Sequence, residues 1–303
     1  MREFLKKTKI DFMSKKYYAF ALSGIIFTLG IIAIIQIARG VANLGIDFIG
    51  GTAVQIKFEN PVVLNEVRRA LEEGGVRDSD LQDMPVERKV LIRVKKKEET
   101  LGGFSDKIIA ALSQKFTDQN LVVDSTTEIG PKVGERLKGD ALWAILAATL
   151  GLLVYIAWRF QFRFGIGATI ATLHDVFAVL GFFYITNREI NLIIVSALLA
   201  IAGYSLTDTV VVFDRIRENL KTRLRDPVEV VINQSINEVL SRTIITSFTT
   251  LLAALALFLF GGEVIHDFAL AIIIGILVGT YSSIFVASPV VLLWKGKRPF
   301  AKK

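Results

Sequence analysis

Six long apolar stretches constrain the fold of this 303-residue chain more than any other feature of its sequence. About 20 apolar residues cross the hydrocarbon core of a bilayer, and each stretch reaches or approaches that length. The stretches are 17–38, 141–158, 164–187, 190–213, 243–262 and 268–294. Hydrophobic residues make up 52% of the chain, and they occur in blocks rather than in the periodic pattern of a soluble domain. The sequence therefore predicts an α-helical polytopic membrane protein with six transmembrane helices.

Lysine and arginine beside the stretches predict the orientation, because short cytoplasmic segments carry an excess of these residues. With the N-terminus inside, the inner segments hold nineteen basic residues, and the short outer loops hold only Arg188. Both termini are therefore expected in the cytoplasm. The expected parts are a basic N-terminus (1–16), a first helix (17–38), an extracytoplasmic domain (39–140), a five-helix region (141–294) with a cytoplasmic loop (214–242), and a basic tail (295–303).

The segment 39–140 is polar enough to fold in water. Its patterns predict strands at 53–58, 81–84, 86–95 and from 121 onward, and helices at 63–73 and 104–116. The order β-α-β-β-α-β is that of a ferredoxin-like α+β domain. The segment has no glycine-rich nucleotide loop and no candidate acid–base pair, which favours a binding or docking module.

Several functional classes are disfavoured by composition. The chain has no cysteine, which excludes disulfides, thiolate metal sites and cysteine nucleophiles. His174 and His266 fall in different elements, so a zinc site is not expected. No basic module with interleaved aromatic residues indicates nucleic-acid binding. We expect neither an enzyme nor a cofactor.

Ionisable residues inside the apolar stretches are the candidate functional residues, because such groups usually face a bundle interior or a water path. Asp175 follows Arg163 by about 18 Å of helix, which places it near mid-depth. Asp208 precedes Asp214 by about 9 Å of helix, so it lies near the cytoplasmic end. Both carboxyl groups are expected to line one axial path.

Arg242 is the nearest candidate cation for Asp208, because the fifth stretch begins on the side where the fourth ends. An ion pair that a proton could break would suit a proton relay, whereas a static interhelical hydrogen bond is the structural alternative. His174 and Asp175 are adjacent on a helix and point about 100° apart, so only one of them is expected to face inward. Asp214 belongs to a boundary cluster close enough to take part.

Small residues predict close helix packing in two stretches. One set steps along the fourth stretch, and the other is a GxxxG in the sixth; they are Ser196, Ala200, Gly203 and Thr207, and Gly275 and Gly279. A further glycine-rich motif follows the first stretch and is interpreted as a tight turn or close backbone approach. Its residues are Gly45, Asp47, Gly50, Gly51 and Thr52.

These motifs together resemble the SecD/SecF family of protein-export membrane proteins, and its SecF branch in particular. The resemblance covers nearly the whole chain in order. It rests on the glycine motif at 45–52 and on the segments 174–176, 203–209, 213–219, 242–247 and 279–285. One departure is Thr207, where asparagine is common before the aspartate, and this change leaves the carboxyl group in place.

The resemblance implies a role that spacing alone does not supply. It implies pairing with SecD into a twelve-helix unit related to the resistance–nodulation–division superfamily. This unit acts with the SecYEG translocon on a translocating preprotein in the cytoplasmic (inner) membrane, and YajC and YidC are further candidate partners. The proton-motive force would drive it through Asp208 and Arg242, with additional carboxylates from SecD.

Two other functions remain open. Half of a proton-coupled efflux transporter is one, although the outer domain is small for such a pump. A structural stabiliser of the translocase, whose aspartates only join helices, is the other. The residues do not distinguish protons from sodium as the coupling ion, because a buried carboxylate with hydroxyl neighbours suits either.

Overall fold

The computed structural model describes residues 8–84, 88–95, 103–160 and 162–293. The expected tail at 295–303, Trp294, part of the N-terminal segment and the start of the strand expected at 86–95 lie outside these ranges. In chain order the elements are α1 (Lys16–Ala38), α2 (Ile46–Ile49), β1 (Gly51–Lys57), α3 (Leu64–Glu73), β2 (Ser79–Met84), β3 (Lys89–Lys95), α4 (Phe104–Lys115), β4 (Val122–Ile129), α5 (Pro131–Arg159), α6 (Phe162–Ile185), α7 (Leu192–Thr222), α8 (Val228–Phe260), α9 (Glu263–Ser282) and α10 (Ser288–Leu293). A π-helical segment, Ser283–Ala287, joins α9 to α10.

Within the described ranges, six helices are long and apolar enough to cross a membrane, which confirms the predicted fold class. They are α1, α5, α6, α7, α8 and the run from α9 into α10. The chain divides into two compact units. We call Leu44–Trp143 with Glu189–Leu192 the sheet unit, and the remainder the helical unit.

The helical unit is built around α6, α7 and α9, which bury about half or more of their apolar spans. Close approach at glycine fixes two of its helix contacts. A Cβ on Gly30 of α1 would lie 2.3 Å from the Cβ of Phe177 on α6. A Cβ on Gly275 of α9 would lie 2.4 Å from Ile201 on α7, so the GxxxG motif packs against another helix as expected.

The sheet unit has the ferredoxin-like arrangement that the sequence predicts. Its four antiparallel strands lie in the order β2-β3-β1-β4, and α3 and α4 cover one face. Alternating side chains of β1 and β3, such as Val54 and Ile92, are fully buried against Leu71 and Leu112 of the helices. The last strand extends to Ile129, beyond the apolar residues at which it was predicted to begin. Its length could not be predicted because its side chains are almost all exposed, so the sequence shows no apolar alternation there.

The segment expected as a cytoplasmic loop at 214–242 is mostly helical. The helix α7 continues to Thr222 and α8 begins at Val228, so only residues 223–227 separate them. Arg215 donates to Glu238 at 2.6 Å and to Glu218 at 2.6 Å. The pair with Glu238 joins the polar end of α7 to the polar start of α8. Apolar content alone does not show that these polar segments are helical.

Candidate functional site

Asp175 lies on α6 at the centre of the helical unit and has no solvent exposure. Its Oδ2 accepts a hydrogen bond from Ser282 at 2.8 Å and another from Ser205. Its Oδ1 lies 3.1 Å from Nδ1 of His174. A Cβ on Gly279 would lie 3.6 Å from Oδ2, so a small residue there leaves room for the carboxyl group. Side chains from three helices therefore surround one buried carboxyl.

Asp208 lies on α7 and is 8% exposed. Its Oδ2 accepts a hydrogen bond from Ser283 at 2.8 Å. The buried Thr243 hydroxyl on α8 faces the same carboxyl without a hydrogen bond of normal geometry. Asp208 thus has hydroxyl neighbours from two other elements, as expected of an intramembrane carboxyl that faces a bundle interior.

Two adjacent serines connect the surroundings of the two aspartates. Ser282 donates to Asp175, and Ser283 donates to Asp208. They lie where α9 passes into the π-helical segment, and such segments frequently occur at functional sites. Ser205, which also donates to Asp175, is three residues before Asp208 and therefore on the same side of α7.

Each of these serines has a second acceptor within reach. The Ser282 hydroxyl lies 3.1 Å from the Gly279 carbonyl, and the Ser283 hydroxyl lies 3.1 Å from the Thr280 carbonyl. A hydroxyl has one proton, so it can turn from the carboxylate to the carbonyl. When a carboxyl takes up a proton and becomes a donor, its serine can accept that proton as a hydrogen bond. Each aspartate can therefore keep a hydrogen bond to its serine in both charge states.

His174 is also buried, at 2% exposure, so both members of the pair face inward, and the expectation that only one of them would do so is wrong. The imidazole turns back to its neighbour Asp175, which lets both side chains occupy the interior. Its Nε2 is buried without a hydrogen-bond partner. Its ring centroid lies 6.1 Å from that of Tyr281, whose hydroxyl donates to the Ala19 carbonyl of α1 at 2.8 Å.

Arg242 and Asp214 are not brought to Asp208 by this chain. Arg242 is exposed, because α8 turns it outward and turns Thr243 inward. Among the described residues, Asp208 has no ion-pair partner. Asp214 has a half-exposed side chain that lies 3.8 Å from Arg159. The expected Asp208–Arg242 pair is therefore absent within the described part of the chain.

The glycine motif forms the start of the sheet unit. Gly50 and Gly51 have φ angles of 77° and 148°, and a Cβ on Gly51 would lie 2.3 Å from the Val94 carbonyl oxygen. The following Thr52 is buried in β1. A Cβ on Gly45 would lie 2.7 Å from Oε1 of Glu189. Asp47 accepts a hydrogen bond from the Leu192 amide at 3.0 Å.

The sequence interpretation missed Glu189, Ser205, Ser282 and Ser283. Glu189 is a 9% exposed carboxylate paired with Arg93 at 2.9 Å, and burial raises its pKa above the ordinary glutamate value, while Arg93 opposes the shift. Its position as an acid in a short loop between two apolar stretches was the available signal. The three serines lie in the segments 203–209 and 279–285 that carried the family resemblance, but no role was assigned to them, because serines are common in membrane helices.

No group of three or more histidine, aspartate or glutamate side chains in the described ranges is arranged to hold a metal ion. The site consists of carboxyls, hydroxyls and one imidazole, which are groups that bind and transfer protons or coordinate a small hard cation.

Comparison with known proteins assigns the chain to a family. The profile described as "Protein export membrane protein SecD/SecF, C-terminal" matches residues 108–297, and "SecD/SecF GG Motif" matches residues 42–62. The chain belongs to the SecD/SecF family. The second match covers the glycine motif at 45–52 and the first covers both buried aspartates, so the two features that the geometry singles out fall within the regions that define the family.

Similar members of the SecD/SecF family extend over the full chain. A protein from Thermodesulfovibrio yellowstonii named "Protein translocase subunit SecF" is 62% identical over 100% of both chains. Another of that name, from Calditerrivibrio nitroreducens, is 43% identical over 98% of this chain and 99% of its own.

Solved structures of SecDF share the fold. The crystal structure of SecDF from Thermus thermophilus, titled a translocon-associated membrane protein, matches with a TM-score of 0.83 and 38% identity. The match covers 95% of this chain and 39% of the solved chain, so this chain spans about two fifths of SecDF. A second SecDF structure, in a super-membrane-facing form, matches with a TM-score of 0.71 and 37% identity over 96% of this chain.

Proposed function

We propose that this chain is the SecF-type subunit of the Sec translocase, that it pairs with SecD, and that it uses the proton-motive force to promote preprotein translocation. The buried aspartate pair, joined by two adjacent serines, is the observation that carries the energy-coupling part. The full-length relatives named as translocase subunits support the Sec assignment. SecYEG is the channel with which the pair would act, and YajC and YidC are further candidates.

The orientation we propose has both termini in the cytoplasm and the sheet unit on the outer side of the cytoplasmic membrane. The distribution of lysine and arginine supports it, with nineteen of these residues in the inner segments and one in the short outer loops. Exposed aromatic residues near the ends of the apolar stretches, including Tyr17, Trp143 and Trp158, suit the two membrane interfaces.

In the proposed mechanism, a proton reaches Asp208, and the Ser283 hydroxyl changes its hydrogen bond when the carboxyl becomes neutral. Ser282 can change its hydrogen bond in the same way when Asp175 takes up a proton, so both aspartates act on the junction between α9 and the π-helical segment. One charge crossing 100 mV carries about 2.3 kcal/mol, which shifts a two-state equilibrium roughly 50-fold. This is enough to bias the chain between two arrangements and to oppose backward movement of a preprotein.

In this mechanism the side chain of Arg242 faces away from the chain's own helix bundle, and its partner comes from another subunit. It is exposed on α8 at the edge of the fifth apolar stretch, where its guanidinium is open to a partner's carboxylate. A carboxylate of the paired SecD subunit suits that position. The exposed small-residue stripe of α7 (Ala200, Gly203 and Thr207) offers a face on which another helix can lie close.

The test is translocation of a preprotein into inverted membrane vesicles that contain the Asp208→Asn variant, with and without an imposed proton gradient. Amounts are normalised to the assembled complex. Loss of the gradient's contribution at unchanged complex level is expected, because asparagine cannot exchange a proton. The matched control is Asp214→Asn, which makes the same change at a half-exposed position on the same helix. It is expected to behave as wild type.

Two other outcomes would contradict parts of this proposal. A gradient contribution equal to that of wild type would show that Asp208 is not part of the coupling path. A fall in complex level with unchanged transport per complex would favour a structural stabiliser. Parallel vesicles with a sodium gradient identify the ion, since only the true coupling ion should restore transport in the wild type.

A further inference from the structure

A short segment between α6 and α7, Glu189–Leu192, belongs to the sheet unit although it is distant from the rest of that unit in sequence. Ile190 forms a parallel bridge with Leu44. The Gly45 amide donates to the Ile190 carbonyl at 2.9 Å. We call Glu189–Leu192 the strap. These backbone contacts bring the strap to the glycine motif at the start of the sheet unit.

The strap ends at the first residue of α7. The first amides of a helix have no partner within the helix, and a side-chain oxygen usually caps one of them. Here the cap comes from a different element, because Asp47 of the glycine motif accepts from the Leu192 amide at 3.0 Å. A carboxylate at this helix terminus also interacts favourably with the helix dipole.

The strap begins with a buried carboxylate. Oε2 of Glu189 lies 2.9 Å from Nη1 of Arg93 on β3, and Asn191 donates to Oε1 at 3.4 Å. Lys95 on β3 and Asp80 on β2 are the other charged groups that act on this carboxyl. Gly45 leaves the space that the carboxylate occupies, since a Cβ there would lie 2.7 Å from Oε1.

We propose that Arg93 and Asp47 are positioning residues that act through the strap: they fix the segment whose last residue, Leu192, is also the first residue of α7, the helix that carries Asp208. Arg93 anchors the start of the strap through Glu189, and Asp47 anchors its end at Leu192. The inference rests on the proposed function for its transport measurement. Its structural measurement is independent of transport.

The two members of the ion pair are not equivalent. Glu189 is 9% exposed, whereas the Arg93 side chain is 19% exposed and retains access to water. Loss of Arg93 leaves a buried carboxylate without its cation, which is strongly unfavourable. Because burial raises the pKa of Glu189, acid conditions neutralise this carboxylate and remove the penalty. Removing both charges together should likewise leave the strap in place.

The experiment compares Arg93→Gln with Arg93→Gln/Glu189→Gln in the full chain assembled with its partner. Hydrogen exchange is followed in peptides that cover 44–50 and 189–195, which contain the Gly45 and Leu192 amides. The single variant should exchange there about tenfold faster or more, and lose a matching part of its gradient-dependent transport per complex. The double variant, and the single variant at acidic pH on the outer side, should approach wild type.

Lys89→Gln is the matched control, because it breaks a pair with Asp124 at 3.1 Å on the same strand. It should leave exchange in the strap unchanged. Wild-type exchange in Arg93→Gln overturns the anchoring role. Faster exchange with unchanged gradient-dependent transport overturns the connection to Asp208. If the wild type itself shows no gradient dependence, the proposed function fails, while the exchange result still decides whether Arg93 anchors the strap.

Discussion

At the residue scale, hydroxyl groups decide how the two aspartates are held. Ser283 contacts the Asp208 carboxyl at 2.8 Å and has the Thr280 carbonyl at 3.1 Å as an alternative acceptor. A carboxylate that loses a hydroxyl donor inside a membrane loses a stabilising contact that water does not replace. The serine therefore favours the charged form of Asp208 and gives it a defined position.

We predict that Ser283→Ala reduces gradient-dependent translocation, because the ionised form of Asp208 loses its donor and the carboxyl takes up a proton more readily. A loss of about tenfold or more is expected, consistent with the value of about 1.5–3 kcal/mol for a hydrogen bond to a charged group. The measurement is transport per complex as a function of pH, and the resulting pH profile should shift to higher pH. Thr169→Val is the control, since that hydroxyl donates to the Gly165 carbonyl. Unchanged pH dependence in Ser283→Ala would contradict this role.

Glu189 gives a pH dependence whose sign follows from its burial. The folded sheet unit raises the pKa of Glu189, so the folded state binds a proton more tightly than the unfolded state does. The stability of the sheet unit should therefore fall as pH rises from the ordinary glutamate pKa through the raised value. Glu189→Gln should remove this component in thermal unfolding curves recorded across that range. Glu72→Gln, at an exposed position, should retain it; a pH response that survives in Glu189→Gln would assign it to another group.

The burial of the two aspartates inside the helical unit could be predicted from the sequence, whereas their hydrogen-bond partners could not, for a physical reason. A charge in an apolar span is costly and therefore conspicuous, which is why Asp175 and Asp208 were predicted. A serine there costs little and occurs in many helices, so only the three-dimensional arrangement shows that Ser205 donates to Asp175. The Asp208–Arg242 hypothesis depended on the rotation of α8, which apolar content does not determine.

At the element scale, the backbone of the glycine motif sets the first strand of the sheet. Gly51 has a φ of 148°, and the Val94 carbonyl oxygen would lie 2.3 Å from a Cβ. The φ angle disfavours any side chain at this position, and no side-chain rotation can make room for a Cβ, because the obstacle is a backbone atom of the adjacent strand. The motif was predicted as a tight turn or close approach, while its contacts with the strap were not, because they join residues far apart in the chain.

We predict that Gly51→Ala destabilises the sheet unit by about 2 kcal/mol or more, from backbone strain together with displacement of β3. Chemical denaturation followed by circular dichroism or by protease resistance of the sheet unit would measure it. Gly139→Ala on α5 is the control, since nothing lies within 4 Å of its Cβ and alanine favours a helix. Equal stability of the two variants would contradict the steric argument.

At the scale of the whole molecule, α1, α5 and α8 bury less than a fifth of their apolar spans, whereas α6, α7 and α9 bury half or more. The face of α7 that carries Gly203 is also open, with nothing within 4 Å of a Cβ at that position. The sequence predicted that this stripe packs against a helix. In the described chain it does not, since small residues indicate that a helix can approach and not which chain supplies it.

We predict that Gly203→Leu lowers co-purification of the chain with SecD while leaving its own fold intact, because the added side chain projects from an open face. Gly24→Leu on α1 also has nothing within 4 Å and should not affect co-purification. Gly275→Leu should instead destabilise the chain itself, since Ile201 lies 2.4 Å from its Cβ. Normal recovery of SecD with Gly203→Leu would place the interface on another face.

The division of the sheet unit into two pieces of sequence has a consequence for how the protein is made. Residues 44–143 are synthesised before α6, and the strap is synthesised after it. The four strands of the sheet are therefore all present before the strap can reach the glycine motif. The sheet unit is therefore complete only once the chain has been made past α6 to the first residue of α7, so a protein truncated before this point would lack part of the domain.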